Sequence, residues 1–178
     1  KDDSARILAG RIGRQIGAVK SRLHYFYAQH FVKRNDRQQQ REHLEKAIDS
    51  DPTDADVLNA MHRFPEQDEA WRKRTLQGIN VAVEDFRRQI KEASEYPTAY
   101  NQLAWLVSNT EGDFDEALRC SHKSLELLPN TAGYLDTLGR CYYAKNDLKN
   151  AVKYQTQAVR LEPYSGQIRR QLDFFICT

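Results

Sequence analysis

The sequence predicts an all-α fold in which helix-turn-helix repeats stack into a right-handed α–α superhelix. Apolar residues recur every three or four positions along most of the chain, as in amphipathic helices. Only eight glycines and five prolines interrupt the 178 residues, which favours long helices over a turn-rich β fold. The C-terminal half also matches itself when shifted by 34 residues, so that Asp113 falls on Asp147, Ala117 on Ala151 and Pro129 on Pro163. Repeats of this kind bury their apolar faces against each other, and one continuous domain over 1–178 is expected.

Residues 1–20 are predicted to form an N-terminal helix that is the remnant of an upstream repeat. Its apolar residues Leu8, Ile12 and Ile16 recur at helical spacing. Its three glycines each weaken an exposed helix by about 1 kcal/mol relative to alanine. The segment is therefore expected to form a helix of low intrinsic stability.

The first repeat is predicted over residues 21–54. Ala28 lies in its first helix and Ala47 in its second, and Pro52 ends the unit because proline cannot continue a helix. The polar segment between the two alanines supplies the turn and the start of the second helix.

Residues 55–97 are predicted to be a degenerate repeat with a long second helix. Thr53 or Asp54 caps a short helix, and Pro65 then interrupts the pattern. A long helix follows from about residue 68 to residue 93, with apolar residues that step by three and four. The segment keeps the rhythm of a helix pair but lacks the motif of the later repeats.

The clearest repeats span residues 98–131 and 132–165. In the second of these, Asp147 can cap the second helix through its carboxylate. The turn is so short that the two helices must be antiparallel. Gly139 and Ala151 then mark the place where the two backbones approach most closely, because larger side chains would not fit there.

These two segments resemble the tetratricopeptide repeat (TPR). The motif positions are filled by Leu135, Leu138, Gly139, Tyr142, Ala151, Ala158 and Pro163 in the last repeat, and by Leu103, Ala104, Ala117 and Pro129 in the one before it. The aromatic residue of the second helix is displaced, because Gln155 holds its position and Tyr154 precedes it. Residues 166–178 are expected to form a C-terminal capping helix, where Phe174 and Phe175 either cover the last apolar face or mark an open edge.

The resemblance implies a protein–protein interaction scaffold that binds a peptide or protein segment on the concave face of the repeat stack. The chain is similar to the C-terminal repeat region of larger bacterial proteins of this family. The side chains expected to face a partner are Asn59, Arg63, Asn101, Trp105, Asp136, Arg140 and Tyr143. Trp105 and Arg140 are of the types enriched at binding hot spots, although Trp105 could instead pack between first helices and Arg140 could pair with Asp136.

A carboxylate-binding variant of the family is disfavoured. Members that hold a C-terminal carboxylate use paired lysines and asparagines on successive first helices. Here Asn101 has no such lysines, and Asp136 would repel a carboxylate.

An enzyme is not expected. The five histidines are scattered without the spacing of a zinc site, and no phosphate-binding loop or nucleophile motif is present, so neither a metal nor a cofactor is predicted. The odd number of cysteines, Cys120, Cys141 and Cys177, indicates reduced thiols rather than a disulfide framework. No apolar run reaches membrane-spanning length. The sequence leaves the compartment open and favours the cytoplasm only slightly.

Two alternative functions remain open. The terminal helices could pair two copies into a homodimer through exposed apolar residues. Residues 1–34 also carry eight Lys or Arg against two Asp, with aromatic residues among them, which is the chemistry of single-stranded nucleic-acid binding. Nucleic acid is the less favoured of the two, because those aromatic residues also fit core positions of a helix pair.

Overall fold

The computed structural model describes the backbone of residues 2–178 and the side chains of residue 6 and residues 8–178; Lys1 lies outside the described residues. This part of the chain is built from helices and contains no strand, so the predicted all-α repeat class is confirmed. The helices are α1 (Asp2–Arg34), α2 (Arg37–Ser50), α3 (Ala55–His62), α4 (Glu69–Glu92), α5 (Pro97–Asn109), α6 (Phe114–Leu127), α7 (Ala132–Ala144), α8 (Leu148–Leu161) and α9 (Gly166–Cys177). They fall into two compact units, Lys1–Ala82 and Val83–Thr178, which we describe separately.

The turn inside each regular helix pair is encoded by two adjacent residues. The first has a positive φ angle, and the second is an aspartate that caps the next helix; the pairs are Asn35–Asp36, Gly112–Asp113 and Asn146–Asp147. Asparagine and glycine are the residues that tolerate this left-handed backbone best. Each aspartate accepts a hydrogen bond from a backbone N–H of the following first turn. The turns thus reverse the chain and produce the pairs α1–α2, α5–α6 and α7–α8.

The end of each of these pairs is also encoded. Helices α2, α6 and α8 each end two residues before an exposed proline, which is Pro52, Pro129 or Pro163. Proline lacks the N–H that a helix needs and restricts the residue before it, so the helix stops there.

The second unit packs through the small residues of the repeat motif. Ala104, Ala117, Ala151 and Ala158 are all fully buried. At Gly139 a Cβ atom would lie 2.7 Å from Gln155 Oε1 and 3.2 Å from the Ala151 carbonyl oxygen. The close approach of α7 and α8 predicted at Gly139 and Ala151 is therefore present.

In the first unit, the predicted N-terminal helix and the first helix of the following repeat are one continuous helix, α1. No proline separates them in the sequence, and the three glycines do not interrupt the helix. Ala28 and Ala47 are buried in the α1–α2 pair. The Ser50 carbonyl oxygen, at the end of α2, lies 2.5 Å from the position of a Cβ on Gly17. The part of α1 before Gly17 therefore extends beyond the end of α2.

The remainder of the first unit is organised by Trp71, a residue that carries no repeat motif. Asp54 caps α3, and Asp68 accepts a hydrogen bond from the Trp71 backbone N–H at the start of α4. The Trp71 side chain is 2% exposed, and its Nε1–H donates to the Met61 carbonyl oxygen over 3.0 Å. Its ring also packs against Phe64. One large side chain thus joins α3 to the beginning of α4.

Candidate functional site

The second unit presents a row of large side chains on its first helices. Helix α5 packs on α7, and α7 packs on α9. The ninth residue of each of these helices is Trp105, Arg140 or Phe174 respectively, and all three side chains are accessible to solvent. Together with Tyr143 they form what we call the first-helix face. The residues beside them in sequence, such as Ala104 and Gly139, point into the core and are buried.

Arg140 is at the centre of this face and is held in place on both sides. Its Nε–H donates to the Ser108 carbonyl oxygen of α5 over 3.1 Å. Its guanidinium lies over the Tyr143 ring, 4.9 Å from the ring centroid, in a cation–π contact. The Tyr143 ring in turn stacks on Phe175 at 4.9 Å and contacts Phe174 at 5.2 Å. A cation and several aromatic rings therefore form one connected surface across α7 and α9.

The position of Asp136 corrects the expectation that it faces outward. Its side chain is 5% exposed. One carboxylate oxygen accepts hydrogen bonds from the side-chain amides of Gln155, on α8, and Gln171, on α9. Gln155 also donates to the Ile168 carbonyl oxygen. Two amides on neighbouring helices thus draw the carboxylate inward, so the predicted repulsion of a partner's carboxylate does not arise from an exposed charge at this position.

Burial also changes the acidity of this carboxyl. Removal from water raises the pKa of Asp136 to about 6, since a buried charge loses its hydration. The hydrogen bond from Gln155 opposes this rise, and Glu162 adds to it. Through its hydrogen bonds with Gln155 and Gln171, the same carboxyl is part of the junction that holds α9 against α7 and α8.

Trp105 and Asn101 lie on the α5 part of the face, and both are half-buried. The Trp105 carbonyl oxygen accepts a hydrogen bond from the Asn109 amide over 2.8 Å. Asn101 Oδ1 is buried and has no hydrogen-bond partner among the described residues. A buried acceptor without a partner costs about 1–3 kcal/mol, so this atom has unused hydrogen-bonding capacity.

The two predicted site residues of the first unit behave differently from each other. Asn59 is 4% exposed, and neither atom of its side-chain amide has a hydrogen-bond partner within the described structure. Arg63 is exposed, and the protein atoms around its guanidinium lower its pKa. Tyr25 of α1 lies close enough to Arg63 that each of the two groups affects the pKa of the other. Of the two predicted site residues of the first unit, only Arg63 is therefore accessible, because Asn59 is enclosed.

Phe174 is the residue of the first-helix face that the sequence did not identify as a binding residue. The pair Phe174–Phe175 was expected to cover the last apolar face or to mark an open edge. Phe175 is 2% exposed and covers that face together with Ile168, whereas Phe174 is 50% exposed. Counting nine residues from the start of each first helix would have placed Phe174 in the same row as Trp105 and Arg140.

The described side chains contain no group of His, Cys, Asp and Glu that could hold a metal ion. All three cysteines are free, and burial raises the pKa of Cys141 to about 12. Its thiol is therefore protonated at neutral pH and is not a nucleophile. No described helix is both long enough and apolar enough to cross a membrane.

Comparison with known proteins agrees with this architecture. Residues 132–165 match the family model described as the tetratricopeptide repeat. No curated protein matches the sequence. Among solved structures, a thermophilic TPR protein of Thermus thermophilus has 18% identity and a TM-score of 0.52, with 88% of this chain and 81% of that chain covered. MamA of Desulfovibrio magneticus has 17% identity and a TM-score of 0.51, with 89% and 84% covered.

PilF of Pseudomonas aeruginosa is similar over 93% of this chain and 70% of its own, with 17% identity and a TM-score of 0.50. At such identities the likeness concerns the fold alone. The repeat in residues 132–165 carries the motif itself, and the pairs α1–α2 and α5–α6 have the same kind of turn and helix end. Residues 132–165 are thus a tetratricopeptide repeat, and the chain shares the all-α repeat fold of the solved TPR proteins.

Proposed function

We propose that the first-helix face binds an extended segment of a partner protein. The fold is generally used as a protein–protein interaction module, and its members are typically scaffolds without catalytic activity. The observation that carries the proposal is the row of Trp105, Arg140 and Phe174 at the same position of three successive first helices. An extended segment that lies across α5, α7 and α9 would contact these three side chains in succession.

The chemistry of the row fits this role. Tryptophan, tyrosine and arginine are the residue types that contribute most to binding at protein interfaces. Arg140 is already held by Ser108 and Tyr143, so little side-chain entropy would be lost when a partner binds. The unpartnered Oδ1 of Asn101 supplies an acceptor beside Trp105 that a backbone N–H of the partner could satisfy after a small side-chain movement.

The test is photo-crosslinking in the cell of origin. A benzoylphenylalanine placed at Phe174 should crosslink to a partner segment, whereas the same probe at Tyr164, which is 98% exposed and lies outside the face, should not. The crosslinked segment is then made as a peptide and titrated against the purified chain. We expect Trp105→Ala/Arg140→Ala to weaken its affinity about a hundredfold, since hot-spot truncations each cost roughly 1–2 kcal/mol or more.

A matched Tyr164→Ala variant should bind the peptide as the original chain does. Circular dichroism must show that each variant keeps its helical content. If the double variant is folded and binds the same segment with unchanged affinity, the first-helix face is not the binding surface.

A further inference from the structure

The N-terminal helix of the first unit has an apolar side that nothing in the described structure covers. Six large apolar residues of α1 are between 48% and 71% exposed, and we call them the α1 stripe: Leu8, Ile12, Ile16, Val19, Leu23 and Phe26. Their spacing of three and four residues places them on one side of the helix. At 1.5 Å per residue the stripe is about 27 Å long, which corresponds to five helical turns.

The stripe is distinct from the sides of α1 that pack within the unit. One side meets α2, where Gly17 approaches the Ser50 carbonyl oxygen and the rings of His24 and His43 are in contact. Another side meets α3, where Ser21 donates a hydrogen bond to Asp54. The residues of the stripe take part in neither contact. Their exposure is therefore not compensated by the helix pair to which α1 belongs.

The charged residues of α1 after residue 3 all have the same sign. Between residues 4 and 34 the sequence contains seven Lys or Arg and no Asp or Glu. Arg22 pairs with Asp56 of α3, whereas Arg11 and Lys20, on the two sides of the stripe, have no acidic partner among the described residues. Two copies of α1 placed side by side would bring these cations together, and like charges across a helix interface are destabilising. A negatively charged partner would instead be attracted.

The shape of the stripe indicates a helix as that partner. The first helices of the second unit cover their sides by packing directly on one another, as α5 does on α7. From Ile12 onward the stripe alternates steps of four and three residues, which is the narrow seam that accepts one helix with interlocking side chains. We propose that the α1 stripe binds an acidic amphipathic helix of a partner protein. This surface lies in the first unit and does not depend on the proposed function of the first-helix face.

The test uses the full chain and a synthetic helix. The probe is a fluorescein-labelled peptide of four heptads with Leu and Ile at the core positions and Glu at the flanking positions. A second peptide replaces every Glu with Lys. We expect the chain to bind the acidic peptide at least tenfold more tightly than the basic one, as measured by fluorescence anisotropy. Added salt should weaken the binding, because part of the attraction is between exposed charges.

Two variants separate the apolar and the charged contributions. Ile16→Asp should lower the affinity for the acidic peptide at least tenfold, while Val81→Asp, a matched change at a 57% exposed position of α4, should leave it unchanged. The double variant Arg11→Glu/Lys20→Glu should bind the basic peptide in preference to the acidic one. All of these positions are exposed, so the variants should fold, and circular dichroism verifies this.

Other outcomes overturn the proposal. Equal binding of the two peptides would exclude charge recognition. Binding to vesicles containing one-third phosphatidylserine without binding to the acidic peptide would identify the stripe as a membrane-contacting surface. A dimer of the chain alone that Ile16→Asp dissociates would identify a second copy as the occupant.

Discussion

The two units of the chain use the same turns but build their cores in different ways. In the second unit the helices approach closely at alanine and glycine positions of the repeat motif, and the final helix α9 covers the last apolar side with Ile168 and Phe175. In the first unit Gly17 and Gly78 also allow close approaches, but the large ring of Trp71 is added between α3 and α4, and the α1 stripe remains exposed. Both units contain the residue with positive φ followed by a capping aspartate.

This difference separates two kinds of information in a repeat sequence. The turn residues decide where the chain reverses, and they are present in both units. The small residues decide how closely the helices pack, and the repeat motif places them most regularly in the second unit. Between α3 and α4 a large side chain is added to this packing, and the stability of that contact depends on Trp71.

The largest effect is expected for Trp71→Ala. The change removes a 2% exposed ring and the hydrogen bond to the Met61 carbonyl oxygen. It should lower the free energy of unfolding by about 3–5 kcal/mol, because a cavity is left in the core. Urea denaturation followed by circular dichroism measures this loss. Trp105→Ala, at a half-buried position, should cost clearly less, and equal losses would contradict the role assigned to Trp71.

A pH-dependent effect of about 3 kcal/mol is expected from Asp136, because each unit of pKa difference corresponds to about 1.4 kcal/mol. Its pKa of about 6 in the folded chain exceeds the ordinary value of about 3.9, so between these pH values the folded chain binds more protons than the unfolded one. The contribution of this carboxyl to stability is therefore complete below about pH 4 and is lost as the pH rises through 6. Asp136→Asn should remove this dependence, which urea titrations from pH 4 to pH 7 would detect.

The control for this prediction is Asp173→Asn, which makes the same charge change at an exposed position of α9. The difference in stability between the original chain and Asp136→Asn should change across the window, while the difference for Asp173→Asn should stay nearly constant. Parallel curves for all three proteins would show that Asp136 is not the group that titrates there.

Gly139→Ala should destabilise the second unit by about 1–3 kcal/mol through overpacking. The new methyl group would lie 2.7 Å from Gln155 Oε1 and 3.2 Å from a backbone oxygen of α8, and the backbone oxygen cannot yield easily. Gly133→Ala is the matched control on the same helix, because a Cβ there meets nothing within 4 Å. Gly133→Ala should be neutral or slightly stabilising in thermal unfolding, and a similar loss for both variants would exclude the close-packing explanation.

The smallest effect is expected for the loss of a helix cap, and it should be the same in both units. Asp36→Ala and Asp147→Ala each remove a hydrogen bond from the side chain to a backbone N–H in the first turn of a helix. Each should cost about 1 kcal/mol, the usual value of such a cap. Parallel denaturation of the two variants checks this. A cost confined to one unit would show that the turns are not equivalent.

The sequence predicted the features that depend on local chemistry. The helix cap at Asp147 and the close approach at Gly139 follow from residue type and spacing, and the structure contains them. The prediction that Asp136 faces outward was wrong, because its orientation depends on Gln155 and Gln171, which reach it from two other helices.

Two further features also depended on more than spacing. The continuity of α1 was not predicted, since the glycines in its N-terminal part lower helix propensity without breaking the helix. The role of Trp71 was not predicted either, since a single tryptophan outside the motif gives no periodic signal. Whether the predicted partner-binding residues contact a partner remains a prediction.

The distribution of the two tryptophans gives the chain a built-in optical reporter for each unit. Trp71 is enclosed in the first unit, and Trp105 is half-buried in the second. An enclosed indole emits at shorter wavelength than one in contact with water, so the two emissions differ in colour. Fluorescence of the unaltered chain during denaturation can thus show whether the two units melt together or in sequence. If a peptide binds to the first-helix face, it should change the fluorescence of Trp105 and leave that of Trp71 unchanged.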